Sequence, residues 1–209
     1  MFMANPSEPI LRYKASIRAN HWFVAITFIL MAISGLALFY PSFFFLSYLL
    51  GGGQSDRILH PFIGVAMYIG FLSLALRFWR RNYITRNDQQ WMKQIGDVLQ
   101  NREENLPPVG FFNAGQKYLY WTMMLTLSAL LITGIMIWRP YFAPYFSIPA
   151  IRIAVLLHSF SAFVIIAGII VHIYAAIWIK GSIPAMTRGT VTRAWARQHH
   201  LDWYRKIGK

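Results

Sequence analysis

The chain has no cysteine among its 209 residues. Without thiols it forms no disulfide, holds no thiolate-bound iron–sulfur cluster, attaches no c-type haem and offers no cysteine nucleophile. Charge is scarce as well: 13% of residues are charged, about half of the ~25% usual for a soluble domain. Acidic residues are the rarest, with 7 Asp+Glu against 20 Lys+Arg and a net charge of +13. In their place the chain is 56% hydrophobic and 17% aromatic. That composition excludes intrinsic disorder and a fibrous repeat, and it argues against a soluble enzyme. No internal repeat or low-complexity tract is visible.

Long charge-free runs are what the chain does have. The first extends from Ala19 to Ser55 and contains a spanning core, His21 to Tyr40. The others are Ile58 to Leu76 (19 residues), Tyr118 to Trp138 (21 residues) and Ile153 to Ile179 (27 residues). In hydrocarbon such runs must be helical, because a helix satisfies its own backbone hydrogen bonds. The first run is too long for a secretory signal, and no small-residue cleavage site follows it. The expected fold is all-α, an integral membrane four-helix bundle formed by residues 1–209 as one domain. Its spans lie at about residues 20–40, 58–80, 117–138 and 152–179, with a loop at 81–116 and a basic tail at 180–209.

The cations fall on alternate connections. The head, the second connection and the tail carry seventeen Lys and Arg; the first and third connections carry three. The positive-inside rule then puts both termini in the cytoplasm of a bacterial inner membrane. The same asymmetry explains the basic balance without a nucleic-acid partner. Within the 81–116 loop, Asn87 or Asp88 is placed to cap a short helix with Trp91, Ile95, Val98 and Leu99 on one face. Such a helix suits the membrane interface or a packed loop equally. The outer connection Trp138 to Phe146 is aromatic and proline-rich, and reads as a rigid interfacial turn or docking surface.

Four of the 6 histidines lie in or at the ends of the spans: His21, His60, His158 and His172. Ionisable groups are costly there, so each is a site candidate. His158 and His172 are 14 residues apart, about 40° from alignment on one helix and ~21 Å apart along it. Depth pairs His60 with His158 near the outer side and His21 with His172 near the inner side. Two stacked bis-imidazole sites suit two b-type haems, with these four residues as axial ligands of the iron. Gly64, Ser161, Ala162 and Gly168 lie one turn from the ligands, where a small side chain lets a porphyrin approach or lets helices pack. His199 and His200, in the basic tail, are expected to be solvated or in contact with a partner.

From Tyr13 to Tyr204 the chain resembles the cytochrome b (gamma) subunits of respiratory, membrane-bound formate dehydrogenases. The resemblance is carried by Arg57 to Phe62, by Phe112 to Trp138, by the Ile137-Trp138-Arg139-Pro140-Tyr141-Phe142-Ala143 loop and by Trp195 to Arg205. The chain departs from that pattern at Gly51-Gly52-Gly53 and in its short tail. The resemblance implies a molybdenum- or tungsten-containing alpha subunit outside the membrane and an iron–sulfur beta subunit, with room for a trimer of heterotrimers. Electrons would pass from the outer haem to the inner haem and on to menaquinone near the cytoplasmic face, and no formate-oxidising site would lie on this chain. It further implies a quinone site at Asn113, Gly115 and Gln116, together with His172. On the residues alone, Asn113 and Gln116 read as a helix cap. The competing readings are a cytochrome anchor of a hydrogenase or thiosulfate reductase, a histidine-relay transporter without haem, and a membrane anchor that carries no electrons.

Overall fold

The computed structural model describes residues 7–100, 102 and 106–207. In chain order the elements are β1 (Pro9–Leu11), α1 (Ala15–Phe39), α2 (Gly53–Phe78), α3 (Arg86–Lys93), α4 (Ile95–Leu99), α5 (Ala114–Ile137), α6 (Ile148–Trp178), α7 (Ser182–Thr187), β2 (Thr190–Thr192), α8 (Arg193–His199) and α9 (Leu201–Ile207). The helices α1, α2, α5 and α6 are long and apolar enough to cross a membrane. In each, 17% of the most apolar window is buried within the chain, which leaves most of the apolar surface to hydrocarbon. The fold is an all-α membrane four-helix bundle with one addition: β1 and β2 pair antiparallel, Pro9 opposite Thr192 and Leu11 opposite Thr190.

Each spanning helix starts several residues before its charge-free run. Arg18, Asp56, Arg57, Lys117 and Arg152 all have helical backbone, since a side chain at the membrane edge can direct its charged end toward water while its backbone stays helical. His60 therefore lies two turns inside α2. Between α1 and α2 the uncharged segment Pro41–Leu50 winds as a 3-10 helix and is closed by Gly51 at φ +89° and Gly52 at φ +94°. Only glycine takes that left-handed backbone without strain.

The described residues form two compact units. One comprises Ala19–Leu76 and Thr122–Val171, and so contains most of all four spans. On two of its helices the buried residues share one side. On α2 the buried Met67, Phe71 and Ala75 share a side with His60, and on α6 the buried Ala154, Ser161 and Ile165 share a side with His158 and His172. A Cβ at Gly64 would come 3.0 Å from Met31 Cε, and one at Gly70 would come 2.8 Å from the Phe23 ring. Both glycines thus serve the packing of α2 on α1. The turn after α5 is tied by the Trp138 carbonyl, which accepts the backbone N–H groups of Tyr141, Phe142 and Ala143.

The other unit comprises the described residues up to Arg18, those within Arg77–Trp121 and those from His172 onward. Its core is Tyr13, Ala185, Val191, Ala196 and Trp203. The tail is folded rather than loose. The Gly189 carbonyl accepts Arg12 N–H at 2.8 Å and Tyr13 N–H at 3.1 Å, and Arg193 Nε donates to Glu8 Oε2 at 2.8 Å. The expectation for His200 is corrected here. His200 is buried at 2% exposure, because the aromatic residues of the tail pack around it: the Trp195 and Trp203 rings lie 5.0 and 6.3 Å from its own. The expected single helix after residue 86 is two helices. Its cap is Thr85, whose hydroxyl accepts Asp88 N–H while Asp88 Oδ2 accepts Thr85 N–H, so Asp88 is the return half of a capping box. Trp91 is buried, whereas Ile95 and Leu99 are exposed.

Candidate functional site

His60 on α2 and His158 on α6 face one another, with ring centroids 6.4 Å apart and planes at 57°. Each ring is held from behind by a hydroxyl. His60 Nδ1 lies 2.7 Å from Ser34 Oγ, and His158 Nδ1 lies 2.9 Å from Thr133 Oγ1. Each hydroxyl also reaches a carbonyl of its own helix, Ser34 to Met31 at 3.2 Å and Thr133 to Ala129 at 2.6 Å. When the hydroxyl proton goes to that carbonyl, its oxygen accepts from Nδ1–H and the Nε2 lone pair is left for a metal. The residue after each hydroxyl is glycine, and a Cβ there would sit 3.5 Å from His60 Cε1 at Gly35 and 3.4 Å from His158 Cε1 at Gly134. Ser34-Gly35 and Thr133-Gly134 are the same device on two helices.

These residues fit a haem. A metal–imidazole bond of ~2 Å on each side, plus about 1 Å from nitrogen to ring centre, spans roughly 6 Å, which the 6.4 Å separation matches. Among the described residues no group of three or more His, Asp or Glu converges on a metal-sized site. A pair of imidazoles suits an iron whose other ligands come from a macrocycle. Sequence reasoning missed Ser34, Gly35, Thr133 and Gly134. The signal was a hydroxyl–glycine pair inside each of two apolar helices, at the depth expected for the outer histidines.

His21 lies in the second turn of α1, its ring edge-to-face with Trp22 at 5.5 Å. His172 lies two turns from the end of α6, on the buried side that also carries Ser161. The two histidines belong to different compact units.

Asn113, Gly115 and Gln116 come together at the start of α5. Gln116 N–H donates to Asn113 Oδ1 at 2.9 Å, and Asn113 N–H donates to Gln116 Oε1 at 3.0 Å. This reciprocal cap is the role the bare sequence favours for the pair. It occupies one lone pair of each amide oxygen and leaves the NH2 groups as the remaining donors. Gly115 keeps the adjoining surface low, and a Cβ there would touch Asn113 Oδ1 at 3.5 Å and the Trp91 ring at 3.7 Å. The next residue, Lys117, is buried and donates from Nζ to Asp88 Oδ2 at 2.7 Å and to the Tyr83 carbonyl at 3.2 Å.

The model of the prokaryotic cytochrome b561 family matches residues 12–189. The formate dehydrogenase cytochrome b556(fdo) subunit of Escherichia coli K12 is 49% identical over 202 residues, covering 97% of this chain and 95% of the relative. The formate dehydrogenase cytochrome b556 subunit of Haemophilus influenzae is 46% identical over 197 residues, covering 94% and 83%. The cytochrome b556 subunit of the nitrate-inducible formate dehydrogenase of Escherichia coli K12 is 42% identical over 203 residues, covering 97% and 94%.

Proposed function

The chain belongs to the prokaryotic cytochrome b561 family, and from that membership we propose that it is the di-haem cytochrome b subunit of a formate dehydrogenase. As a single membrane domain it anchors the complex and carries electrons from an iron–sulfur subunit to menaquinone on the cytoplasmic side of the inner membrane. The observation that carries this reading is the His60–His158 pair, its rings 6.4 Å apart and each with a hydroxyl at Nδ1. The names of the relatives supply the complex to which such a chain belongs.

His60 and His158 would hold one haem on the outer side, and His21 and His172 would hold the other on the inner side. Haem b, when bound, supplies one-electron redox chemistry between the two faces. The chain's own residues do the rest. The hydroxyls of Ser34 and Thr133 orient the ligating rings, and the apolar helices keep water from them. Asn113 and Gln116 present two amide donors to a quinone carbonyl, with Gly115 leaving room beside them. A chain without cysteine depends on partners for any iron–sulfur cluster, which suits an iron–sulfur beta subunit and a molybdenum- or tungsten-containing alpha subunit on the outer side. The seventeen-to-three split of cations favours cytoplasmic termini, and the family resemblance implies a trimer of such heterotrimers.

The test is the complex purified from membranes. Two haem b per copy of this chain by pyridine haemochrome, together with co-purifying molybdenum or tungsten and iron–sulfur subunits, is the expected result. One haem per chain, or none, overturns the di-haem assignment.

A further inference from the structure

The strap Val109-Gly110-Phe111 leads into the cap at Asn113, and each of its three carbonyls is held by a donor from an end of the chain. Asp202 N–H donates to the Val109 carbonyl at 3.0 Å, His200 Nδ1–H to the Gly110 carbonyl at 2.7 Å and Arg12 Nη2 to the Phe111 carbonyl at 2.6 Å. Two of the donors are also joined to each other, with Arg12 Nη2 3.1 Å from His200 Nε2. An arginine has no acceptor, so His200 accepts through Nε2 and must carry its proton on Nδ1, which the Gly110 carbonyl takes. The guanidinium lies over the rings of Trp203 at 4.5 Å, Phe111 at 4.6 Å and Trp195 at 5.1 Å. Arg12 and His200 are 7% and 2% exposed. Such an arrangement has one geometry: a buried fork stacked on aromatic planes, with its partners at fixed angles.

We propose that Arg12 and His200 are positioning residues of the quinone site, clamping the strap so that the amide donors of Asn113 and Gln116 are held at one place and angle. The clamp joins the head, the strap and the tail, segments nearly 200 residues apart in sequence, and it makes the folded tail part of the quinone site. The inference rests on the assignment of Asn113, Gly115 and Gln116 to quinone, and its test separates the two.

The experiment uses the assembled formate dehydrogenase complex in membranes, with menaquinone-1 as the varied acceptor. Haem content and dye-linked formate oxidation serve as measures of assembly. His200→Ala and Arg12→Lys are expected to raise KM for menaquinone-1 by about tenfold with kcat and haem content kept, the pattern of lost uniform binding. His200→Asn, which retains a short donor for the Gly110 carbonyl, recovers most of the affinity. If Asn113→Ala raises KM and His200→Ala leaves it unchanged, the clamp is overturned and the quinone assignment stands. If neither variant changes KM, the quinone assignment fails and the clamp's role fails with it. If His200→Ala and His200→Asn lose haem and dye-linked activity together with quinone turnover, the role is general folding and the proposal is overturned.

Discussion

Ser34 Oγ lies 2.7 Å from His60 Nδ1 and 3.2 Å from the Met31 carbonyl. With its proton on that carbonyl, the serine accepts from the ring and leaves Nε2 for a metal. Thr133 does the same for His158 at 2.9 Å. Ser34→Ala and Thr133→Val each remove the hydroxyl at a ring nitrogen, a loss of roughly 1–3 kcal/mol, and free the ring to turn. Outer-shell losses of this kind typically weaken metal binding ~10–100-fold. The expected result is selective loss of one of two haems on dialysis in detergent, with Ser34→Thr and Thr133→Ser close to wild type. Equal haem retention in all four variants would show that the hydroxyls are incidental.

His60→Ala and His172→Ala are each expected to halve the haem content, and to differ in what remains. With the electron entry point on the outer side, formate leaves the residual spectrum of the His60→Ala complex unchanged and reduces that of the His172→Ala complex. Quinol formation stops in both. Stopped-flow spectra with the two responses exchanged would reverse the assigned direction of electron flow.

The four spans were legible in the sequence because a membrane leaves few ways to place charge. The closeness of His60 to His158 was legible too, since both lie at the same end of their spans. What was not legible needed tertiary contacts. Ser34 and Thr133 look like ordinary polar residues in apolar helices, and only α2 and α6 supply the rings they serve. Thr85 lost the cap to Asn87 and Asp88 on paper because the capping box depends on Asp88 folding back. His200 reads as a solvated tail residue until Arg12, nearly the whole chain away, is brought to its Nε2.

Lys117 and Asp88 form an ion pair with side chains 11% and 8% exposed. Removing one partner of such a pair leaves a buried charge and costs about 3–5 kcal/mol, whereas replacing both can be nearly neutral. Lys117→Met should therefore destabilise the 83–95 segment strongly, raising its hydrogen exchange and its cleavage by protease. Adding Asp88→Asn should restore much of the loss, giving a large coupling energy in the double-mutant cycle. Additive effects would mean that the pair is not coupled in the assembled protein.

The last prediction concerns pH. Burial, and then the charge of Arg12, push the His200 imidazole down to about 3 from its ordinary 6.5. The folded tail therefore refuses a proton that the unfolded chain accepts below 6.5. Its contribution to stability is complete above that value and is lost as pH falls through 6.5 toward about 3, at up to ~1.4 kcal/mol per pH unit. Protonation would also cancel the acceptor that Arg12 uses and set two cations against each other. Denaturant midpoints of the tail, read from the fluorescence of Trp195 and Trp203, should be flat above neutrality and fall steadily between pH 6 and pH 4 (roughly the upper part of that window). His200→Asn cannot take up the proton, so its acid limb should be shallower even though the variant starts less stable. If the two acid limbs run parallel, His200 is not excluded from protonation in the folded chain. The assignment of its Nε2 as an acceptor from Arg12 then fails as well.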